Sequence, residues 1–568
     1  MAQQTRPQRT DPLSGGNQDD AGSPAEGEAA APGPAIEPAL QAPSAGSADE
    51  PLPPEGTAGE AERVERLANP PGQSPPAPAE PTEPTEPTEP TDASEPTGTA
   101  SHDVAVPPAL AALMATGWAA PDDRLPEQEP VAVFAAVRRK RLLACFPGET
   151  LVVPSGPLKV RANDTDYPFR PSSDFYWLTG CLEPDSVLVL DERGAVLYLA
   201  DRSDRSSLAF FTDRRYGELW VGPRRGVRET AAALELECRP LERLPEALGS
   251  LAPSRTRLTR GVDPRVDTTV LAWPPGAASG RDLELATTLA ELRLIKDDFE
   301  LARLREAVAA TARGFEECVA ELPRATRLGR GERWVEGTFW RRARLEGNEV
   351  GYGSIVACGS HATTLHWVRN DGPVGAGELA LLDMGIETDA LYTADITRTL
   401  PIDGRWRDAQ RRVYEVVARA QQAGLEAVRP GAGFLDPHRA AMAVIADALS
   451  DWGIPASPAD AQAREAAGVH RRYTLHSTSH MLGLDVHDCA QARDETYRDG
   501  PLTPGMVITV EPGLYFQADD LTVPEELRGI GVRIEDDVLV TQTGVDNLSD
   551  CLPRDADQLE NWVSQLQG

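Results

Sequence analysis

Apolar positions form no clusters in the first hundred residues and gather into short runs beyond them. Three of these runs, L-V-V-P-S-G (151–156), S-V-L-V-L-D (186–191) and A-V-L-Y-L-A (195–200), are bounded by Gly, Pro or Asp and have the length of buried strands. R-R-K-R-L-L-A-C-F (138–146), R-E-T-A-A-A-L-E-L-E (228–237) and L-E-R-L-P-E-A-L (241–248) read as helices around them, so residues 104–285 predict a small α/β domain. Order begins near Val104, at the first apolar cluster. Over 286–320, Leu292, Ile295, Phe299, Leu301, Leu304, Val308, Phe315 and Val319 recur at helical spacing and predict one long amphipathic helix that packs through this stripe. From Val350 to Thr541, runs with strand character (G-S-I-V-A-C-G, E-L-A-L-L-D-M-G-I, M-V-I-T-V-E-P-G-L-Y-F, G-V-R-I-E-D-D-V-L-V-T) surround one long helical region at 406–451. That pattern predicts an α+β domain over 286–568.

Composition changes the picture at the amino-terminal end. Residues 1–100 hold 20 of the 50 prolines and no aromatic residue, the first being Trp118. The segment P-T-E-P-T-E-P-T-E-P-T (81–91) repeats every three residues. Proline blocks helix and ladder while the glutamates repel, so residues 1–103 predict a disordered, extended acidic tail without a core. The formal net charge is −33, of which −14 falls in the first hundred residues, leaving −19 on the folded part. An acidic surface on both parts argues against nucleic acid and anionic membranes as partners. No run reaches the roughly 18 apolar residues of a membrane span, and M-A-Q-Q-T-R-P-Q-R-T has no apolar signal core, which makes the cytoplasm the expected location. Seven cysteines stand singly, as expected of reduced thiols and not of a zinc finger or disulfide framework.

The candidate chemistry lies between 361 and 535. His361, His366, His476, His480 and His487 fall in segments that also carry Asp383 and Asp395, shortly before Glu511 and Glu535. Asp383 ends the apolar run E-L-A-L-L, Asp395 sits in L-Y-T-A-D-I-T-R-T-L, Glu511 ends M-V-I-T-V and Glu535 lies in G-V-R-I-E-D-D. A carboxylate at the end of an apolar strand is costly to bury unless it is paired or binds a metal. One such aspartate would be an ordinary turn former. Four carboxylates with His480 select a divalent manganese, cobalt, iron or zinc and would neutralise two such ions.

These segments resemble a known family. D-M-G-I-E-T-D-A-L-Y-T-A-D-I-T-R-T (383–399), H-S-T-S-H-M-L-G-L-D-V-H-D (476–488), G-M-V-I-T-V-E-P-G-L-Y (505–515) and G-V-R-I-E-D-D (531–537) are similar, in content and order, to the pita-bread metallopeptidases, above all Xaa-Pro aminopeptidase (aminopeptidase P). Y-P-F-R-P-S-S-D-F-Y-W-L-T-G (167–180) resembles the family's amino-terminal domain and L-R-L-I-K-D-D-F-E (292–300) its linker. The resemblance implies a creatinase/aminopeptidase-like catalytic domain behind a smaller α/β domain. It implies two divalent metal ions, manganese foremost, with Asp383 on one, Asp395 and Glu535 bridging, and His480 and Glu511 on the other. His366 and His487 would contact substrate at the scissile bond, His476 and Arg533 would support the site, and His361 matches nothing. A homodimer or homotetramer is implied too, in which the amino-terminal domain lines a neighbour's site. Tyr176 is the candidate ring for the substrate proline, turned away from Phe175 and Trp177 by strand alternation.

The implied reaction is attack of a metal-bridging hydroxide on the X-Pro bond of a peptide with proline second, Glu511 shuttling the proton. Prolidase, an X-Pro dipeptidase, is the alternative on the same ligand set; a catalytically silent pita-bread binding protein is the remote one. Two departures stand out: eleven residues separate Asp383 from Asp395 where ten are usual, and Ser477-Thr478 replace a glycine and an apolar residue. An uncompensated one-residue slip would turn Asp395 to the other face of its strand.

Overall fold

The computed structural model describes residues 106–119, 124–271, 279–454 and 468–568. The tail expected over 1–103, and Val104 itself, lie outside the described residues. The apolar cluster after Val104 becomes the helix Pro108–Met114, which buries no side chain, so the core starts later, at Pro130–Cys145.

The expected strands form one sheet in the order Glu237–Pro240, Gly194–Leu199, Val187–Asp191, Thr150–Pro154, Thr256–Leu258, antiparallel at its centre and parallel at both edges. Leu151, Val153, Leu188, Leu190, Leu197 and Leu199 turn one face of it onto Leu142 of the helix Pro130–Cys145. The segment carrying Tyr176 corrects the expectation of a strand. Ser173–Thr179 is a helix, capped by Ser172 and ended by Gly180 in the left-handed conformation (φ 73°). Without alternation, Phe175, Tyr176 and Trp177 are all buried, Tyr176 at 4% exposure, because the helix is enclosed by the sheet and the helix Pro130–Cys145.

The helix expected over 286–320 is two helices, Ser279–Arg293 and Asp298–Ala325. Asp297 starts the second with a reciprocal capping box: its side chain accepts from the Glu300 amide, and the Glu300 carboxylate accepts from the Asp297 amide. The first helix runs through residue 285, so the boundary set there falls inside an element. The helical region at 406–451 likewise divides into Asp408–Ala427 and Asp436–Asp451, at a Pro430-Gly431 turn with Gly431 at φ 83°.

Two three-stranded antiparallel sheets follow, beside two short strand pairs: Ile355–Cys358, Leu379–Met384 and Ile396–Pro401 form one, and Val507–Val510, Asp536–Val540 and Val545–Asn547 the other. The strand period of two sorts their residues. Ala380, Leu382, Met384, Ile396 and Leu400 pack against Phe315, Val319, Val335 and Phe339 of the covering helices. The intervening positions, Asp383, Asp395 and Thr397, face the opposite way. Among the described residues no helix is long and apolar enough to cross a membrane.

Candidate metal centre

Asp383 faces Thr397 across the strand pair, and Asp395, two residues before Thr397, shares its face. The register is constant from Leu379↔Pro401 to the Glu387↔Thr393 bridge, so the extra residue between the aspartates sits in the tip at 388–392, where Leu391 takes a left-handed φ of 64°. The added length reverses no face. The 476–481 segment lies along Val507–Val510, with Glu511 N–H donating to Thr478 O (2.8 Å) and Thr509 N–H to His480 O (3.0 Å), which brings His480 and Glu511 together. Glu535 joins them because its N–H donates to the Thr397 carbonyl (3.1 Å).

All five line one cavity of about 770 Å³, with His366, His476, His487 and Arg533; Leu365, Val368 and Val486 supply apolar wall. Donor atoms of Asp395, His480 and Glu535 lie within 4.8 Å of one another. His480 Nε2 is 3.4 Å from Asp395 Oδ2 and 3.6 Å from Glu511 Oε1. Its Nδ1 is 3.1 Å from the Met481 carbonyl; as the donor there, Nδ1 leaves the Nε2 lone pair aimed at the carboxylates.

The electrostatics describe a place for cations. Burial, then repulsion from Asp395, Glu511 and Asp383, holds the Glu535 carboxyl well above its ordinary range. Burial also raises Asp383 against the pull of Arg533. For Glu511 burial pushes upward, but the hydrogen bond and charge of His476, then His480 and Arg533, outweigh it and hold its carboxyl below the usual range. Burial works against a charged His480, yet its bond to Asp395 and the charges of Glu511 and Asp395 carry it to about 9. His487, whose ring stands 4.5 Å from that of His480, is lowered by burial and by the His480 charge. Oxygen-rich donors with one imidazole nitrogen, crowded enough to repel, fit hard or borderline divalent ions.

Arg533 and His476 support the site as expected, but their partners Tyr352, Thr397 and Tyr515 escaped the sequence reading. Tyr352 donates to Asp383 Oδ1 (2.7 Å), Arg533 Nη2 donates to Asp383 Oδ2, and Thr397 Oγ1 donates to Glu535 Oε2 (2.6 Å). Tyr515 OH lies 2.9 Å from His476 Nε2 and accepts from Arg533 Nη1 (3.0 Å); burial raises its phenol to about 12. Tyr515 sits four residues after Glu511 in its own motif, whereas nothing marks Tyr352, 31 residues from its partner. Ser477 lines the cavity, its hydroxyl donating to Ser479 O (3.2 Å), and buried Thr478 has its hydroxyl 2.9 Å from His438 Nδ1. Tyr176 is elsewhere: it lines a separate cavity of about 540 Å³ with Phe299, Arg303 and Asp389 and does not reach the carboxylates of its own chain. His361 is also outside, bonded to Glu332.

Residues 302–542 match metallopeptidase family M24, and residues 135–259 match the aminopeptidase P N-terminal domain. Xaa-Pro aminopeptidase 2 of Streptomyces coelicolor is 52% identical over 466 residues, 81% of this chain and 97% of the relative. The chain belongs to metallopeptidase family M24. It is a metal-dependent hydrolase with the expected pita-bread catalytic domain behind an aminopeptidase P amino-terminal domain. The solved structure of Escherichia coli aminopeptidase P with the inhibitor Pro-Leu superposes with a TM-score of 0.67 at 29% identity, covering 78% of this chain and all of that one. Proline aminopeptidase P II from Yersinia pestis gives 0.67 at 31% identity, over 76% and 99%.

Proposed function

We propose that this enzyme releases the N-terminal residue from peptides with proline in the second position, with Asp383, Asp395, His480, Glu511 and Glu535 holding two divalent ions, manganese in the native state. The observation that carries this reading is the convergence of those five side chains, from four separate stretches of chain, in one cavity with His366 and His487 on its wall. Bound divalent ions supply Lewis acidity and a water acidified toward neutrality. The remaining work falls to the chain. An X-Pro bond lacks the N–H and the extended backbone most peptidases grip, so the site has to recognise a ring and a tertiary amide. Leu365, Val368 and Val486 offer the ring an apolar wall. Glu511 takes a proton and delivers it to the proline nitrogen as the bond breaks. His366 and His487 donate to the oxygen on which charge develops, while His476 and Arg533 hold Glu511 and Asp383 in place. Homodimers or homotetramers in the cytoplasm go with this reading. Its support is the family and seven cysteines that are all unpaired.

The deciding experiment strips the enzyme with a chelator and restores manganese, cobalt, zinc or iron singly, assaying an X-Pro-X tripeptide beside a Gly-Pro dipeptide. Tripeptide cleavage restored best by manganese is expected. Activity confined to the dipeptide would make the enzyme a prolidase, and no recovery with any ion would overturn the metal assignment.

A further inference from the structure

His366 stands on a thirteen-residue stretch between Cys358 and Gly372 whose only regular element is the short 3-10 turn Gly359–Thr363. A connection this long takes its shape from what it is fastened to. The fastening is Glu332, at the start of the helix Gly331–Glu346 and fully buried. Its Oε1 accepts from Cys358 N (3.0 Å) and His361 Nδ1 (2.7 Å); its Oε2 accepts from Trp367 Nε1 (2.9 Å) and Gly372 N (2.7 Å). Two of the four donors belong to the stretch that carries His366, and the other two, Cys358 and Gly372, flank it at either end. A buried carboxylate is tolerated only with such saturation. The His361 ring stacks on Trp367, centroids 3.9 Å apart and 22° from parallel, and a Cβ on Gly372 would collide with His361. One helical turn on, Glu336 accepts from Asn370 Nδ2 (2.9 Å), and Asn370 also bonds Ser354 O and Val356 N. The loop is thus hooked to one helix face at positions i and i+4.

We propose that Glu332, His361 and the indole N–H of Trp367 form a clamp that positions His366 in the catalytic cavity, making His361 a positioning residue for the reaction although it touches neither the cavity nor the five proposed metal ligands. Leu365, His366 and Val368 line the cavity, while Trp367 between them, and His361 four residues before Leu365, point back into the clamp. The donor role of His361 requires the proton on Nδ1, the assignment its bond to a carboxylate favours. Because an error of about 1 Å in a reacting group can cost on the order of 100-fold in rate, a loosened clamp is read in turnover before it is read in folding. The five carboxylate and imidazole donors lie outside this stretch, only Asp383 being on the strand that pairs with Ile355–Cys358, so metal content should not depend on the clamp. The inference rests on the role of His366 proposed above.

The test is a double-mutant cycle on the metal-replete enzyme with an X-Pro-X peptide, reading kcat, KM, bound metal and thermal midpoint for His361→Ala, His361→Asn, His366→Ala and the double His361→Ala/His366→Ala. His361→Ala should lower kcat about 10-fold with KM and metal content unchanged, and His361→Asn, which keeps an N–H in reach of Glu332, should recover most of it. Added to His366→Ala, the same change should cost nothing further. An undiminished cost in that background, or no recovery in a His361→Asn enzyme of normal thermal midpoint, overturns the clamp alone. Wild-type turnover in His366→Ala overturns the reading on which it rests, and the clamp with it. Should His361→Ala fail to fold, Trp367→Phe keeps the stacked ring and removes one N–H. It should lower kcat several-fold, and unchanged kcat would sink the proposal.

Discussion

Thr397 and Glu535 hold each other twice: the Thr397 hydroxyl donates to Glu535 Oε2 over 2.6 Å, and the Glu535 amide donates to the Thr397 carbonyl over 3.1 Å. This reciprocal pair ties the strand that follows Asp395 to the segment bearing Glu535, and it aims one carboxylate oxygen. Groups that orient metal ligands typically matter by about 10–100-fold in metal affinity or activity. Thr397→Val should therefore weaken manganese binding by about that factor with an unchanged far-ultraviolet spectrum. Titration of the chelator-stripped enzyme measures it, and wild-type affinity would show that the backbone bond alone aims Glu535.

Glu535→Gln separates function from folding. Burial and three neighbouring carboxylates already oppose its charge. A neutral amide of the same shape should leave the metal-free thermal midpoint at or above that of the wild type while abolishing hydrolysis. Asp395→Ala and His480→Ala should also be inactive. Appreciable turnover by any of the three under metal-replete conditions contradicts the ligand assignment.

Tyr176 belongs to the core of the amino-terminal half, in contact with neither His366 nor the carboxylates. Tyr176→Ala should lower stability by on the order of 3 kcal/mol, as large-to-small changes at buried aromatics do. Denaturant unfolding measures this, and kcat/KM per folded molecule should stay within about twofold. A large fall in kcat/KM with unchanged stability would return the ring to the site.

Asp520 gives a pH signature away from the metal centre. The Arg472 guanidinium, against the opposing effect of burial and aided by the hydroxyl and amide of Thr522, holds its carboxyl down to about 2. The unfolded value is about 3.9. A depressed acid stabilises the fold above its unfolded pKa and loses that contribution as pH falls through the folded one. The stability gap between wild type and Asp520→Asn should be below about 1 kcal/mol at pH 6, since the pair is at the surface, and should shrink from pH 4 toward 2. A gap that widens on acidification would contradict the ion pair.

What the residues determined unaided is whatever obeys a local period or a local motif. Once E-L-A-L-L-D-M and D-I-T-R-T-L are strands, the alternate facing of successive side chains alone puts Asp383 and Asp395 on the face opposite Leu382 and Ile396. The carboxylates and His480 stood out because charge in apolar runs is expensive, and Asp297 with Glu300 writes a helix start into the stretch mistaken for one continuous helix. The tertiary structure alone decided the conformation of Phe175-Tyr176-Trp177. Three aromatics in a row favour a strand locally, but Arg138 on the neighbouring helix bonds the Trp177 carbonyl, Arg139 bonds that of Leu178, and a helical turn buries every ring. It alone also paired Tyr352 with Asp383 and Glu332 with His361 and Trp367. The physical reason is common to these cases. Periodicity is a property of neighbours along the chain, whereas the satisfaction of a buried charge depends on which distant segments the fold brings within hydrogen-bond reach, and no single segment carries that information.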